Sequence, residues 1–265
     1  MSVTNSFTQT LIEESKINKK IVVLDADLSD DLSLKNFQKK FPKRFIQNGI
    51  AEQDMVSMAG GLALSGLLPI VNSFASFLTA RANEQIYNNA TENTKIIYIS
   101  LYSGLIPAGA GKSHQSLRDI SLLSSIPNMS IFHPLNEIET KKILKHCIKN
   151  EKKNCAIRLS IGPVPDNSPT FPKKYKFFKG QGSIITKGKD AIIFAYGQTM
   201  INEAYMAYKL LLLDGIKASV INFPTLNYFE VAWLKKILKV SKNIFAIDDH
   251  NYSGGFGDLL SSFIQ

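Results

Sequence analysis

The chain has 265 residues and only two cysteines, Cys147 and Cys155. So few thiols exclude a disulfide-stapled scaffold and a four-cysteine zinc site, and they predict a reducing, cytoplasmic setting. Arginine is nearly as scarce: Arg44, Arg81, Arg118 and Arg158 are the only four among 31 basic residues. Lysine cannot reproduce the planar fork of a guanidinium, so each of the four is a candidate for a specific ion pair. Long apolar runs are also missing. Stretches such as 191–194 and 210–213 fall far short of the ~18–20 residues of a membrane span, so no membrane association is expected. The first twenty residues are polar and include Glu13 and Glu14, unlike a secretory leader.

Several site motifs are absent as well. The four histidines, His114, His133, His146 and His250, have no metal-binding spacing. There is no G-x-G-x-x-G after the first apolar run and no nucleophile elbow. Gly109-Ala110-Gly111-Lys112-Ser113 imitates the end of a P-loop, but Ile106 stands where its first glycine belongs. Pro107 follows with no N–H for a phosphate. His133, His146 and His250 read as structural, and Arg44, Arg118 and Arg158 as possible structural ion pairs. The net charge of +9 comes from lysines scattered along the chain, often beside acids as in Lys189-Asp190. That is a solvated surface; a nucleic-acid binder gathers its basic residues with aromatics on one face.

What is present is an alternation. Runs at 21–24, 68–71, 95–101, 129–132 and 155–159 are rich in Ile and Val and predict strands. Between them, 51–65, 77–90, 115–124 and 137–149 predict helices. In the first of these Met55, Met58, Ala59, Leu62 and Ala63 recur at helical spacing. Strands alternating with helices predict crossover units and a mostly parallel sheet. Residues 161–179 carry Pro163, Pro165, Pro169 and Pro172 among polar residues and predict a stiff linker. Beyond it, strands at 183–186, 191–195, 218–222 and 244–247 and a helix at 201–213 predict a second, smaller α/β domain. A helical pattern from 257 runs to the last residue, so a truncated second domain is expected. The predicted fold is α/β: two consecutive three-layer domains with mostly parallel sheets, 1–160 and 180–265.

The segment Asn48-Gly49-Ile50-Ala51-Glu52-Gln53-Asp54-Met55-Val56 sets an acid at the opening of an apolar helix. One reading is a first-turn acid favoured by the helix dipole. Against it stand three further features. Gly60-Gly61 lies in mid-helix, where each glycine costs ~1 kcal/mol relative to Ala, so another backbone is expected close by. An aromatic pair, Phe74 and Phe77, follows an apolar strand, and a Gly-rich loop then delivers His114.

Gly49-Ile50-Ala51-Glu52-Gln53, Met55-Val56 and Gly61-Leu62-Ala63 resemble the pyrimidine-binding domain of transketolases and deoxyxylulose-phosphate synthases. The resemblance continues through Ser73-Phe74-Ala75-Ser76-Phe77, Glu84-Gln85-Ile86, Ser113-His114-Gln115, Asp119-Ile120 and Ile126-Pro127-Asn128-Met129. In the second half it includes Tyr196-Gly197, Asp214-Gly215-Ile216, Asp249-His250 and Gly254-Gly255-Phe256-Gly257. It covers the chain from about Ile21 onward and matches the C-terminal half of a transketolase, without the diphosphate- and metal-binding G-D-G…N half. The resemblance therefore implies the smaller, pyrimidine-binding subunit of a split transketolase.

Its cofactor would be thiamine diphosphate, held at the aminopyrimidine end, with Mg2+ or Ca2+ on a separate N-terminal, diphosphate-binding partner chain. Two such heterodimers would form a heterotetramer acting on sugar substrates. By the same resemblance Glu52 is the catalytic acid that hydrogen-bonds N1′ of the cofactor, from an apolar site that raises its pKa. Phe74 and Phe77 wall the pyrimidine, and Asp27 lies near the cofactor and the subunit contact. His114 reaches the substrate's oxygens and helps move protons. Arg81 either anchors an anionic substrate end or pairs with Glu84 at i+3. Two departures leave phosphorylation of the sugar open. Ala110-Gly111-Lys112-Ser113 replaces D-G-P-T, and Ile161 stands where a phosphate-binding arginine is found; Arg158, three residues earlier, faces the other way. The alternatives are a deoxyxylulose-phosphate synthase, a 2-oxoacid dehydrogenase beta-type subunit and a non-catalytic paralogue.

Overall fold

The structure, a computed structural model, describes residues 2–264 apart from 107–108, 161–168, 170 and 172–174. Among them the first half runs α1 (Val3–Ile17), β1 (Ile21–Asp25), α2 (Lys35–Lys40), β2 (Phe45–Gln47), α3 (Glu52–Leu64), β3 (Leu68–Phe74), α4 (Ala75–Arg81) and α5 (Asn83–Thr91). It continues with β4 (Ile97–Leu101), α6 (Asp119–Ser124), β5 (Ser130–Phe132), α7 (Glu137–Lys149) and β6 (Cys155–Leu159). The strands form a six-stranded sheet in the order β2-β1-β3-β4-β6-β5. Every pairing in it is parallel.

β1, β3, β4 and β6 are buried along their whole lengths. A parallel sheet whose crossovers run over both faces requires this, and it explains the near-continuous Ile and Val runs. Alternation sorts the side chains into two layers. Val22, Leu24, Val71, Tyr98 and Ala156 pack with Met55, Val56, Leu78, Ile86 and Ile120 of α3 to α6. Ile21, Val23, Ile70, Ile97 and Ile157 pack with Phe7, Phe37 and Ile143 of α1, α2 and α7.

After residue 180 the chain forms β7 (Ser183–Ile184), β8 (Ala191–Ala195), α8 (Gly197–Leu213), β9 (Ala218–Asn222), α9 (Val231–Leu238), β10 (Ile244–Ala246) and α10 (Phe256–Ile264). The sheet order is β10-β8-β9-β7, with β7 antiparallel and the others parallel. α8 covers one face through Ile201 and Ala204 against Ile193 and Val220. α9 and α10 cover the other through Leu234, Ile237, Phe256 and Leu260, in a core continuous with Ile120, Leu123 and Ile131 of the first sheet. Leu226 N–H donates to the Ile131 carbonyl at 2.8 Å and His133 N–H to the Pro224 carbonyl at 2.9 Å, so backbone bonds cross the seam.

The predicted architecture holds, with local differences. The helix expected at 77–90 is two helices, because Ala82 leaves helical geometry at φ −105° and ψ 20°. Leu78, Ala82, Ile86 and Ala90 keep one apolar spacing across the break, so periodicity alone could not reveal it. The helix expected at 115–124 begins only at Asp119, since Ser116 is tied back to Gly104. Of the glycine pair, only Gly60 is closely approached: a Cβ there would lie 2.1 Å from Asn89 Oδ1, a side chain rather than a backbone. Gly61 has open space. Much of the linker expected at 161–179 lies outside the described residues, as does Ile161. Phe171 and Tyr175 within that span are buried and stack at 4.1 Å between ring centroids.

Candidate functional site

In a parallel sheet, ligand clefts form outside the carboxyl ends of the strands, where the following loops and helix starts converge. The register sets Asp25 of β1 beside Asn72 of β3, and Phe74 of β3 beside Leu101 of β4. α3 opens at Glu52, α4 opens one residue after Phe74, and the loop after β4 carries Tyr102 and His114. Five of the six predicted residues, Glu52, Phe74, Phe77, Arg81 and His114, are thereby gathered at the carboxyl ends of the strands.

Glu52 is only 4% exposed. Its Oε1 accepts from Ser73 Oγ at 3.3 Å, and Arg81 Nη1 reaches Oε1 at 3.3 Å and Oε2 at 3.2 Å. The apolar surroundings expected for this carboxyl are therefore corrected: a hydroxyl and a guanidinium meet it. Arg81 pairs with Glu52 and not with the exposed Glu84. Glu52 and Arg81 line an open groove of 520 Å³ together with Ile50, Ala51, Gln53 and Asp54.

An aromatic group adjoins the ion pair. The Arg81 guanidinium carbon lies 4.0 Å from the Phe77 ring centroid. Phe74 and Phe77 are 5.6 Å apart, and His114 meets them edge-on at 5.6 and 5.0 Å. Tyr102, which sequence reasoning missed, packs tilted against Phe74 with ring centroids 4.5 Å apart, its backbone at φ +54°. Its one signal was its place directly after the 95–101 run. The His114 imidazole Nδ1 lies 3.0 Å from Ser113 Oγ, and the His114 backbone N–H donates to the Gly111 carbonyl at 3.0 Å. The result is a continuous series from Glu52 through Arg81 and Phe77 to His114.

Asp27 stands apart. It is exposed, at φ +62°, and its N–H donates to Gln47 Oε1 at 3.0 Å. Among the described residues, no hydrogen bond or ion pair links it to Glu52, Arg81 or His114. The buried carboxyl at the end of β1 is Asp25, pushed up by burial against bonds from Asn72, the Leu28 N–H and Gln47.

The remaining histidines have structural partners. His146 Nε2 bonds Glu151 Oε1 at 2.9 Å, and Ser121 N–H donates to His250 Nε2 at 3.3 Å. Burial and the neighbouring Arg158 hold His133 well below the usual histidine range, so it is neutral. Arg158 Nη1 sits 2.9 Å from its Nδ1. A guanidinium only donates, so bonding assigns the ring proton to Nε2, which faces Ser160 Oγ at 3.1 Å. Arg158 itself is fully buried and bidentate to Asp119, with Nε–Oδ2 at 2.8 Å and Nη2–Oδ1 at 3.2 Å. Arg44 instead donates to backbone carbonyls of Ser15 and Asn18, and Arg118 is exposed.

Among the described residues, no cluster of three or more His, Cys, Asp or Glu side chains could hold a metal ion. No helix among them is long and apolar enough to cross a membrane. A buried carboxyl lining a groove, joined through Arg81 to an aromatic group, is an arrangement suited to a planar nitrogen heterocycle.

The family model described as "Transketolase, pyrimidine binding domain" matches residues 1–165, and "Transketolase, C-terminal domain" matches residues 180–265. The chain is 31% identical over 256 residues to a subunit of the apulose-4-phosphate transketolase of Phocaeicola vulgatus, covering 96% of this chain and 81% of that protein. It is also 31% identical over 264 residues to the 1-deoxy-D-xylulose-5-phosphate synthase of Halothermothrix orenii, but spans only 40% of that enzyme's length. Among solved structures, a split gene transketolase described as an inactive beta4 tetramer superposes with a TM-score of 0.87 at 30% identity, covering 100% of this chain and 85% of that one. The chain belongs to the transketolase family, of which it carries the pyrimidine-binding and C-terminal domains.

Proposed function

We propose that the chain is the pyrimidine-binding subunit of a thiamine-diphosphate-dependent transketolase and transfers a two-carbon ketol unit between sugars. In this reading residues 1–160 form the cofactor-facing domain and 180–265 the second domain. The observation that carries it is the contact series Glu52–Arg81–Phe77–His114 at the carboxyl ends of the parallel strands, with Glu52 and Arg81 opening on a groove.

Thiamine diphosphate, when bound, supplies an acidic ring carbon able to take up a two-carbon unit. Glu52 holds a proton toward N1′ of the aminopyrimidine, which a buried carboxyl at the start of a helix can reach. Phe74 and Phe77 offer the ring an apolar face, worth ~0.5–1.5 kcal/mol per aromatic pair beyond burial. His114, on a loop above them, reaches the substrate's oxygens and moves protons there. Arg81, with its side chain 48% exposed, can leave Glu52 when the ring nitrogen arrives and turn to the substrate. Asp27, just after β1, serves the subunit contact.

The partner in this reading is a separate diphosphate-binding chain that brings Mg2+ or Ca2+. Ile50, Met58 and Leu64 are exposed on α3 and its lead-in, which supports a partner against that helix. Cys147 and Cys155 are free and buried, which supports a cytoplasmic setting. The similarity to a deoxyxylulose-phosphate synthase supports one second reading, the same site with pyruvate as donor.

The test is to mix the purified chain with its diphosphate-binding partner and offer hydroxypyruvate or pyruvate with aldose acceptors. The expected outcome is turnover of hydroxypyruvate by the mixture and none by the chain alone. Full activity of the chain alone contradicts the two-chain reading, and exclusive use of pyruvate replaces it with the second.

A further inference from the structure

The segment 248–254, which follows β10, reaches the loop that carries His114. Asp249 Oδ1 accepts from Tyr196 OH at 2.9 Å and from Arg158 Nη2 at 3.4 Å. Its other oxygen fills the space beside Gly104: a Cβ on that glycine would lie 1.7 Å from Oδ2. Gly104, at φ +84°, exchanges backbone hydrogen bonds with Ser116 at 3.2 and 2.9 Å, closing the base of the loop. Asn251 N–H donates to the Leu117 carbonyl at 2.7 Å. Gly254 lies so close to Ser121 that a Cβ would come within 2.6 Å of it. On the far side of the loop, Asp119 is held bidentately by the same Arg158.

We propose that Asp249 is a positioning residue: together with Arg158 it clamps the base of the His114 loop, at 103–105 and 115–119, so that the imidazole stays against Phe74 and Phe77. The physical reason is the loop's own poverty of contacts. Its described residues Leu105, Ile106 and Gly109 to Ser113 are all exposed. Loops with few buried contacts open at low free energy, and a misplacement of 1 Å can cost ~10²-fold in rate. The second domain thus acts on the site by fixing a loop it does not itself contain. The catalytic part of this inference rests on the proposed role of His114; the clamp does not.

The experiment is hydrogen–deuterium exchange on the chain with Asp249→Ala, followed by kinetics in complex with the partner. Amides of Gly104, His114 and Ser116 are expected to exchange at least tenfold faster, with those of α3 and β3 unchanged. In the complex, kcat/KM for the sugar should fall at least tenfold. The cofactor concentration giving half-maximal activity should change less than twofold, because Glu52, Phe74 and Phe77 lie on other elements. Unchanged exchange at 104–116, or an equal rise across both sheets, overturns the clamp. If Asp249→Ala does not fold, Asp249→Asn, which keeps the shape and an oxygen for Tyr196, should show the same local pattern at smaller size; a uniform rise there overturns it. If the wild-type complex shows no turnover, the functional reading fails, while the exchange data still decide the clamp.

Discussion

Arg81 Nη1 lies 3.2 Å from Glu52 Oε2, while the same guanidinium stacks 4.0 Å over the Phe77 ring. One side chain thus joins the buried acid to the aromatic wall. Because Arg81 is half exposed, its ion pair contributes little to stability, ~0–1 kcal/mol. Its weight falls on the site instead. Arg81→Ala should shift unfolding by no more than about 1 kcal/mol and lower kcat/KM at least tenfold. Arg81→Lys should not restore it, because lysine lacks the fork and the flat stacking face. Thermal unfolding beside steady-state kinetics checks both. A large loss of stability without loss of activity contradicts the assignment.

Two neighbouring glycines of α3 should respond in opposite directions. Gly60→Ala drives a methyl into Asn89, whose Nδ2 donates to the Val56 carbonyl at 2.8 Å. Overpacking and loss of that bond should cost ~1–3 kcal/mol. Gly61→Ala meets nothing within 4 Å and should gain up to ~1 kcal/mol from helix propensity. Denaturant unfolding of the two variants decides, and equal effects contradict the packing described.

Glu139 links the two sheets. It accepts from Tyr175 OH, from Leu135 N–H at 2.7 Å and from Asn222 Nδ2 at 3.0 Å. Burial raises its carboxyl to about 7 from 4.5, against the lowering effect of those bonds. The native state therefore holds a proton that the unfolded chain has already released, and stability falls as pH rises from about 4.5 to about 7. The slope is at most ~1.4 kcal/mol per pH unit. Glu151 acts the other way at lower pH. Burial alone would raise it, but bonds from His146 and Lys179 hold it at about 2, so its contribution is lost as pH falls below 4.5. Melting temperature against pH should decline between pH 5 and 7 in the parent and flatten in Glu139→Gln. Parallel curves contradict this.

Much of this is legible in the sequence. The Ile- and Val-rich runs became the buried strands because a sheet covered on both faces needs no polar alternation. Glu52, Phe74, Phe77 and His114 could be singled out because local motifs place them at strand and helix ends. α1 was missed: Val3, Phe7 and Leu11 bury one face, but Thr4, Thr8 and Ser15 are buried beside them and blur the apolar pattern. Ser2, whose side chain accepts from Asn5 N–H at 3.2 Å, was the available start signal. β2 is too short to stand out, and α2 has a single buried residue. The scarcity of arginine marked Arg158 for an ion pair, but its partners Asp119 and Asp249 lie 39 and 91 residues away in sequence. No spacing rule spans such distances. The Arg81–Glu52 pair was hidden for the same reason, and the nearby Glu84 offered a false local partner.

The most direct measurement is turnover of Glu52→Gln assembled with the diphosphate-binding partner, beside circular dichroism and thermal unfolding of the variant alone. Glutamine keeps the shape of the side chain but cannot hold the acid proton, and acid–base groups contribute ~10²–10⁴-fold. The account predicts at least a hundredfold loss of turnover with the fold unchanged. Retention of more than about a tenth of the parent's activity, well above what loss of such a group leaves, contradicts it.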